Sequence, residues 1–129
     1  MSELDKESVV GISALLVHAA NIDEIYSDHE KNLVKNFIKS YLEDADTNQI
    51  LKKAEEIENN SNQLLDYTNI IKKNSMDVKK DIIEHLWKVI ISDNSIDQYE
   101  SNLMRRICGL IYFPDKECAE IKLKLINKQ

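Results

Sequence analysis

Apolar residues along this chain recur at the three- and four-residue spacing of a helix face, and polar breaks divide them into separate segments. The first segment, VVGISALLVHAA at residues 9–20, is apolar almost all round, as expected of a helix in the middle of a bundle. It stops near Asn21. A second helix is expected from Ser27, with Leu33, Val34, Phe37, Ile38 and Tyr41 on its inner face. After the polar stretch EDAD, a third carries Ile50, Leu51, Ala54 and Ile57 inward and the charged run KKAEEIE outward. ENNSN interrupts the pattern before a short fourth helix with Leu64, Leu65, Tyr67, Thr68, Ile70 and Ile71. KNS ends it, and Ser75 is placed to cap a long fifth helix through Val78, Ile82, Ile83, Leu86, Trp87, Val89, Ile90 and Ile91. A sixth runs from Asp97 through Leu103, Met104, Ile107, Cys108, Leu110 and Ile111. Pro114 stands where a last helix can begin, since proline is tolerated in a first turn. The pattern predicts an all-α domain over residues 1–129 with about seven helices, no strand pair and no linker.

One polar turn occurs twice. Residues 22–33 read IDEIYSDHEKNL, and residues 92–103, seventy positions on, read SDNSIDQYESNL. Asp93 falls on Asp23, Asp97 on Ser27, Glu100 on Glu30, Asn102 on Asn32 and Leu103 on Leu33. Both copies sit between the end of one helix and the start of the next. Ser27-x-x-Glu30 and Asp97-x-x-Glu100 each have the form of a capping box, with Ile25 or Tyr26, and Ile96, as apolar staples. Capping leaves Asp23 and Asp93 unexplained, and like charges packed closely need a counter-ion or raise one another's pKa. The alternative is therefore a hard divalent cation, Mg²⁺, Ca²⁺ or Mn²⁺, held by Asp23, Ser27 and Glu30 in one cluster and by Asp93, Asp97 and Glu100 in another. The second cluster is the stronger candidate, because Ser27 removes one charge from the first. The spacing is not that of an EF-hand loop.

Composition narrows the class. With 43% hydrophobic and 31% charged residues, the chain is expected to be a soluble globular protein, and 2 Gly and 1 Pro leave little material for the tight turns of a sheet. A net charge of −6 argues against a nucleic-acid partner. The arginines Arg105 and Arg106 and the lysines Lys122, Lys124 and Lys128 read as a solvated face and a helix C-terminus. No basic segment precedes the first apolar run, and no run reaches the roughly 18–20 residues of a spanning helix, so a cytoplasmic protein is expected. Cys108 and Cys118 lack CxxC spacing and read as free thiols, with Cys108 in the core. His18 is expected as a hydrogen-bonded, semi-buried side chain, His29 as an exposed first-turn residue, and His85 as solvent-facing beside Asp81 and Lys88. Asp66, Tyr67 and Thr68 suggest a buried hydrogen-bond network, and Trp87 a central core aromatic. No nucleophile–base pair, HExxH, GxSxG, P-loop or dinucleotide fingerprint is present, so no enzymatic activity is expected.

The duplicated acidic turn, the string IIEHLWKVIISDNSIDQYESNLMRRICGLIYFPDKE and the middle segment LLDYTNII together resemble the TerB family of tellurite-resistance proteins, nearest to its small stand-alone bacterial branch. That family's pattern is an apolar helix ending in Ala-Asp-Gly, then x-Ile-(Ser or Asp)-x-x-Glu and a further apolar helix. Here the family glycines are replaced by Glu24 and Asn94. The resemblance implies an intracellular helical bundle with a pseudo-two-fold repeat, tied to resistance to tellurite and other stresses. It also implies a divalent-metal site at Asp23, Ser27, Glu30, Asp93, Asp97 and Glu100. The expected function is a non-enzymatic stress-response protein that binds a divalent cation. The alternative is a metal-free module whose acidic face meets a protein partner, such as a membrane-associated stress complex, with the repeated turns acting only as helix caps.

Overall fold

Helix starts in this chain are fixed by short polar side chains that accept hydrogen bonds from otherwise orphaned first-turn N–H groups. In a computed structural model that describes residues 4–21, 27–43, 46–60, 64–91 and 98–127, seven helices follow in order. They are α1 (Lys6–Ala20), α2 (Asp28–Tyr41), α3 (Thr47–Asn60), α4 (Leu64–Lys72), α5 (Met76–Ile91), α6 (Gln98–Leu110) and α7 (Asp115–Asn127). Asp5 accepts from the Ser8 N–H at 2.7 Å, Asp46 from the Asn48 and Gln49 N–H groups at 3.1 and 3.3 Å, and Ser75 from the Val78 N–H at 3.3 Å. Pro114 directly precedes α7, and its carbonyl accepts from the Cys118 N–H at 3.1 Å. Among the described residues there is no strand, and the fold is all-α as expected.

The apolar all-round character of α1 has the expected consequence. Its side chains from Val9 to Val17, and again Ala19 and Ala20, are buried, and it packs against α2, α3, α4 and α5. A helix touched on every side has no face left for charge. α5 is the second internal helix, burying Val78, Ile82, Ile83, Leu86, Trp87, Val89, Ile90 and Ile91 against α1, α2 and α7. The outer helices are amphipathic: α2 turns Val34, Phe37 and Ile38 inward, and α3 turns Ile50, Leu51 and Ala54. α6 packs on α4 and α7.

Three apolar positions depart from the pattern. Ile57 is exposed, because the inner row of α3 continues from Ile50 and Ala54 to Glu58, which meets polar groups at the end of α1. Leu65 is also exposed, lying off the face that α4 buries through Tyr67, Thr68 and Ile71. Ile111, expected within the sixth helix, is instead a buried turn residue after it.

Candidate functional site

The first copy of the repeated turn enters α2 through a complete capping box. The Glu30 N–H donates to Ser27 Oγ at 3.2 Å, while Glu30 Oε1 accepts from the Ser27 N–H at 2.9 Å and from the Ser27 hydroxyl at 3.1 Å. Glu30 is only 5% exposed, so the box is an internal feature of the fold. The polar end of α1 lies beside it. His18 Nδ1 is 3.3 Å from Glu58 Oε1, and Asn21 Nδ2 donates to Glu58 Oε2 at 3.2 Å, so one carboxylate of α3 holds two residues of the last turn of α1. A groove of about 280 Å³ opens here, lined by Val17, Asn21, Lys31, Glu55, Glu58 and Asn59. Glu58 was not singled out in the sequence, although it stands four residues beyond Ala54 on the buried row of α3.

Of the six candidate metal ligands, Ser27 and Glu30 are brought together, and they bond to each other. Asp23, Asp93, Asp97 and the side chain of Glu100 lie outside the described residues, as do the staples Ile25, Tyr26 and Ile96. α6 is described from Gln98, and its expected start at Asp97 lies outside the described residues. Among the described residues no group of three or more His, Cys, Asp or Glu side chains is placed to hold a metal ion. The oxygen donors of the six suit a hard cation, but Ser27 and Glu30 already serve as each other's partners.

The remaining candidates divide. His18 is semi-buried and hydrogen-bonded, and His29 is exposed, both as expected. His85 differs: its side chain is 14% exposed, Nδ1 lies 2.8 Å from the Asp81 carbonyl oxygen, and its ring packs edge-on against Phe37. The cause is α2, whose Tyr41 donates to Asp81 Oδ2 at 2.6 Å and closes over this side of α5. In α4, Tyr67 and Thr68 are buried and Asp66 is exposed.

A second constellation, which the sequence did not suggest, sits where α5, α6 and α7 meet. Cys108 and Cys118 are both free and buried there. Trp87 Nε1 donates to Cys118 Sγ at 3.3 Å, and Lys122 Nζ lies 5.4 Å from the Trp87 ring centre. The Cys108 side chain, with the Trp87 N–H and Lys122, draws the Cys118 pKa below that of an ordinary thiol, whereas the Cys118 side chain and burial push that of Cys108 above it. Trp87 is thus a core aromatic, as expected, with a polar handle in its bond to Cys118. The turn between α6 and α7 brings both cysteines, ten positions apart, to this junction. Their lack of a short motif hid it.

No curated protein and no solved structure matches the chain. The family described as tellurite resistance protein TerB matches over residues 10–123, a span containing both copies of the acidic turn and all of α2 to α6. By that match, this all-helical chain belongs to the TerB family.

Proposed function

We infer that the protein is a non-enzymatic, cytoplasmic TerB-type protein of the response to tellurite and related stress, and that its duplicated turn binds a divalent cation. The observation that carries this reading is the family match across both copies of the turn. The second copy, Asp93 with Asp97 and Glu100, would supply the principal oxygen ligands for Mg²⁺, Ca²⁺ or Mn²⁺. Asp23, with Ser27 and Glu30, would contribute from the first. Such an ion would neutralise a concentration of carboxylates at the joint between consecutive helices and so bias the angle between them.

Thermal unfolding in EDTA, then with each of the three cations, tests this on the native chain and on Asp93→Asn. An ion at a hundred times its Kd stabilises the folded state by ~2.7 kcal/mol, which for a domain of this size is a rise in Tm of roughly 3–6 °C. The native chain should show such a rise and Asp93→Asn should lose it. No rise with any of the three cations at millimolar concentration rejects cation binding.

The capping box favours a second reading for the first copy. Ser27 and Glu30 satisfy each other without an ion. On that reading the turns are caps, and the acidic chain is a metal-free module that meets a protein partner.

A further inference from the structure

We propose that the exposed side of α6, from Arg105 to Tyr112, is a docking surface for a carboxylate-bearing helix of a partner protein. None of its residues belongs to the candidate cation ligands.

Two residues here are the reverse of what the chain's own stability favours. Gly109 lies in the last turn of α6 without a positive φ, and a Cβ added to it meets no atom within 4 Å. Neither backbone nor packing within the chain therefore needs glycine, the weakest helix former after proline. Three residues on, Tyr112 takes the left-handed conformation that glycine adopts freely, and it is 67% exposed. The exposed glycine leaves a notch beside the helix backbone, and the exposed tyrosine sets an aromatic ring in solvent. Both serve an interface: the notch lets a second backbone come close, and tyrosine supplies large contact area at small entropic cost.

Charge selects the occupant. Arg105 and Arg106 stand four and three residues before Gly109, on its side of α6, and both are exposed. Lys72 of α4, which packs on α6, joins them with Nζ 4.9 Å from the Tyr112 ring centre. Among the described residues none of these three cations is ion-paired, and residues 103–112 contain no acid. A local cationic face is thus left open in a chain of net charge −6. Arginine takes a carboxylate through two parallel hydrogen bonds. A helix with glutamates at i and i+4 can therefore engage both arginines while crossing α6 at Gly109. Other anions fit less well. A nucleic acid is repelled by the chain's overall charge, whereas a few carboxylates respond to the cations within a screening length of about 8 Å. An anionic lipid surface would use the cations and Tyr112 but leaves the notch at Gly109 without a purpose. A contact centred on these five residues belongs to the small, transient class of interface.

The test titrates the full-length chain into a fluorescein-labelled, alanine-rich peptide with glutamates at i and i+4, about twenty residues long so that it forms a helix alone. Polarisation reads the affinity, and amide shifts of the isotope-labelled chain locate the contact. The expected result is saturable binding that weakens as salt is raised, with shifts confined to the end of α4, the exposed side of α6 and Tyr112. Arg105→Glu with Arg106→Glu should weaken it by about tenfold or more. Gly109→Gln separates docking from folding. Its Tm should equal or exceed that of the native chain, because the added side chain has open space, yet its affinity should fall by about tenfold or more. Native affinity in Gly109→Gln overturns the proposal, as do shifts on another face or no binding at all. Phosphatidylglycerol vesicles and single-stranded DNA are the competing ligands, and tighter binding of either than of the peptide overturns the acidic-helix occupant. Self-association of the chain that Gly109→Gln abolishes gives the face to a second copy and overturns it likewise.

Discussion

Glu30 is an unusual place for a carboxylate: 5% exposed, at the start of a helix, with Oε1 accepting two hydrogen bonds from Ser27. The N-terminus of a helix favours negative charge and leaves N–H groups without partners, so α2 supplies what the buried carboxylate lacks in solvent. Glu30→Ala removes the partner of the Ser27 N–H and is expected to cost about 1–2 kcal/mol. Ser27→Ala should cost ~1 kcal/mol, and the double variant less than the sum, because the two residues form one box. Urea unfolding of the four proteins measures this directly; strict additivity would mean that the two side chains act independently. The sequence carried the box clearly in Ser27-x-x-Glu30. It gave no comparable signal for Glu58, whose role depends on where α3 crosses the end of α1, a tertiary fact with no local pattern.

At the scale of elements, the junction of α6 and α7 shows what a local pattern conceals. α6 ends in a Schellman motif, with the Phe113 N–H donating to the Cys108 carbonyl at 2.8 Å and the Tyr112 N–H to the Gly109 carbonyl at 3.4 Å. The residue that turns left-handed is Tyr112, at φ 59°, where glycine is usual. Reading the chain for a glycine stop therefore misses the end of α6, and the one nearby glycine, Gly109, lies inside the helix. Tyr112 is exposed, and Lys72 Nζ sits 4.9 Å from its ring centre, a contact worth roughly 0.5–1 kcal/mol at such a site. Left-handed backbone costs an L-residue roughly 1–2 kcal/mol. Tyr112→Gly is therefore expected to be neutral to about 1 kcal/mol stabilising, the greater chain entropy of glycine taking part of the gain. Tyr112→Val, β-branched at positive φ, should destabilise by more than about 1 kcal/mol. Denaturant midpoints for the pair decide it, and equal midpoints would refute a left-handed Tyr112.

Across the whole molecule, burial is uneven, and the unevenness sets which helices open first. The hydrophobic pattern sufficed for seven helices and for the central place of α1, because an apolar all-round helix has only one stable environment. It could not give the contact of Trp87 with Cys118 or the burial of His85, since both depend on which helix closes over which. α1 packs against four other helices, whereas α7 rests on α5 and α6 and fully buries only Cys118 and Ile121, leaving Leu123 and Ile126 exposed. Few buried contacts mean a low free energy of local opening. Native-state hydrogen exchange should find the α1 and α5 amides opening with global unfolding and the α7 amides opening at lower free energy. Ile82→Ala in α5 should destabilise the whole fold by about 2–5 kcal/mol, whereas Ile121→Ala should accelerate exchange chiefly in α7. Exchange of α7 at the same free energy as α1 would refute that order of opening.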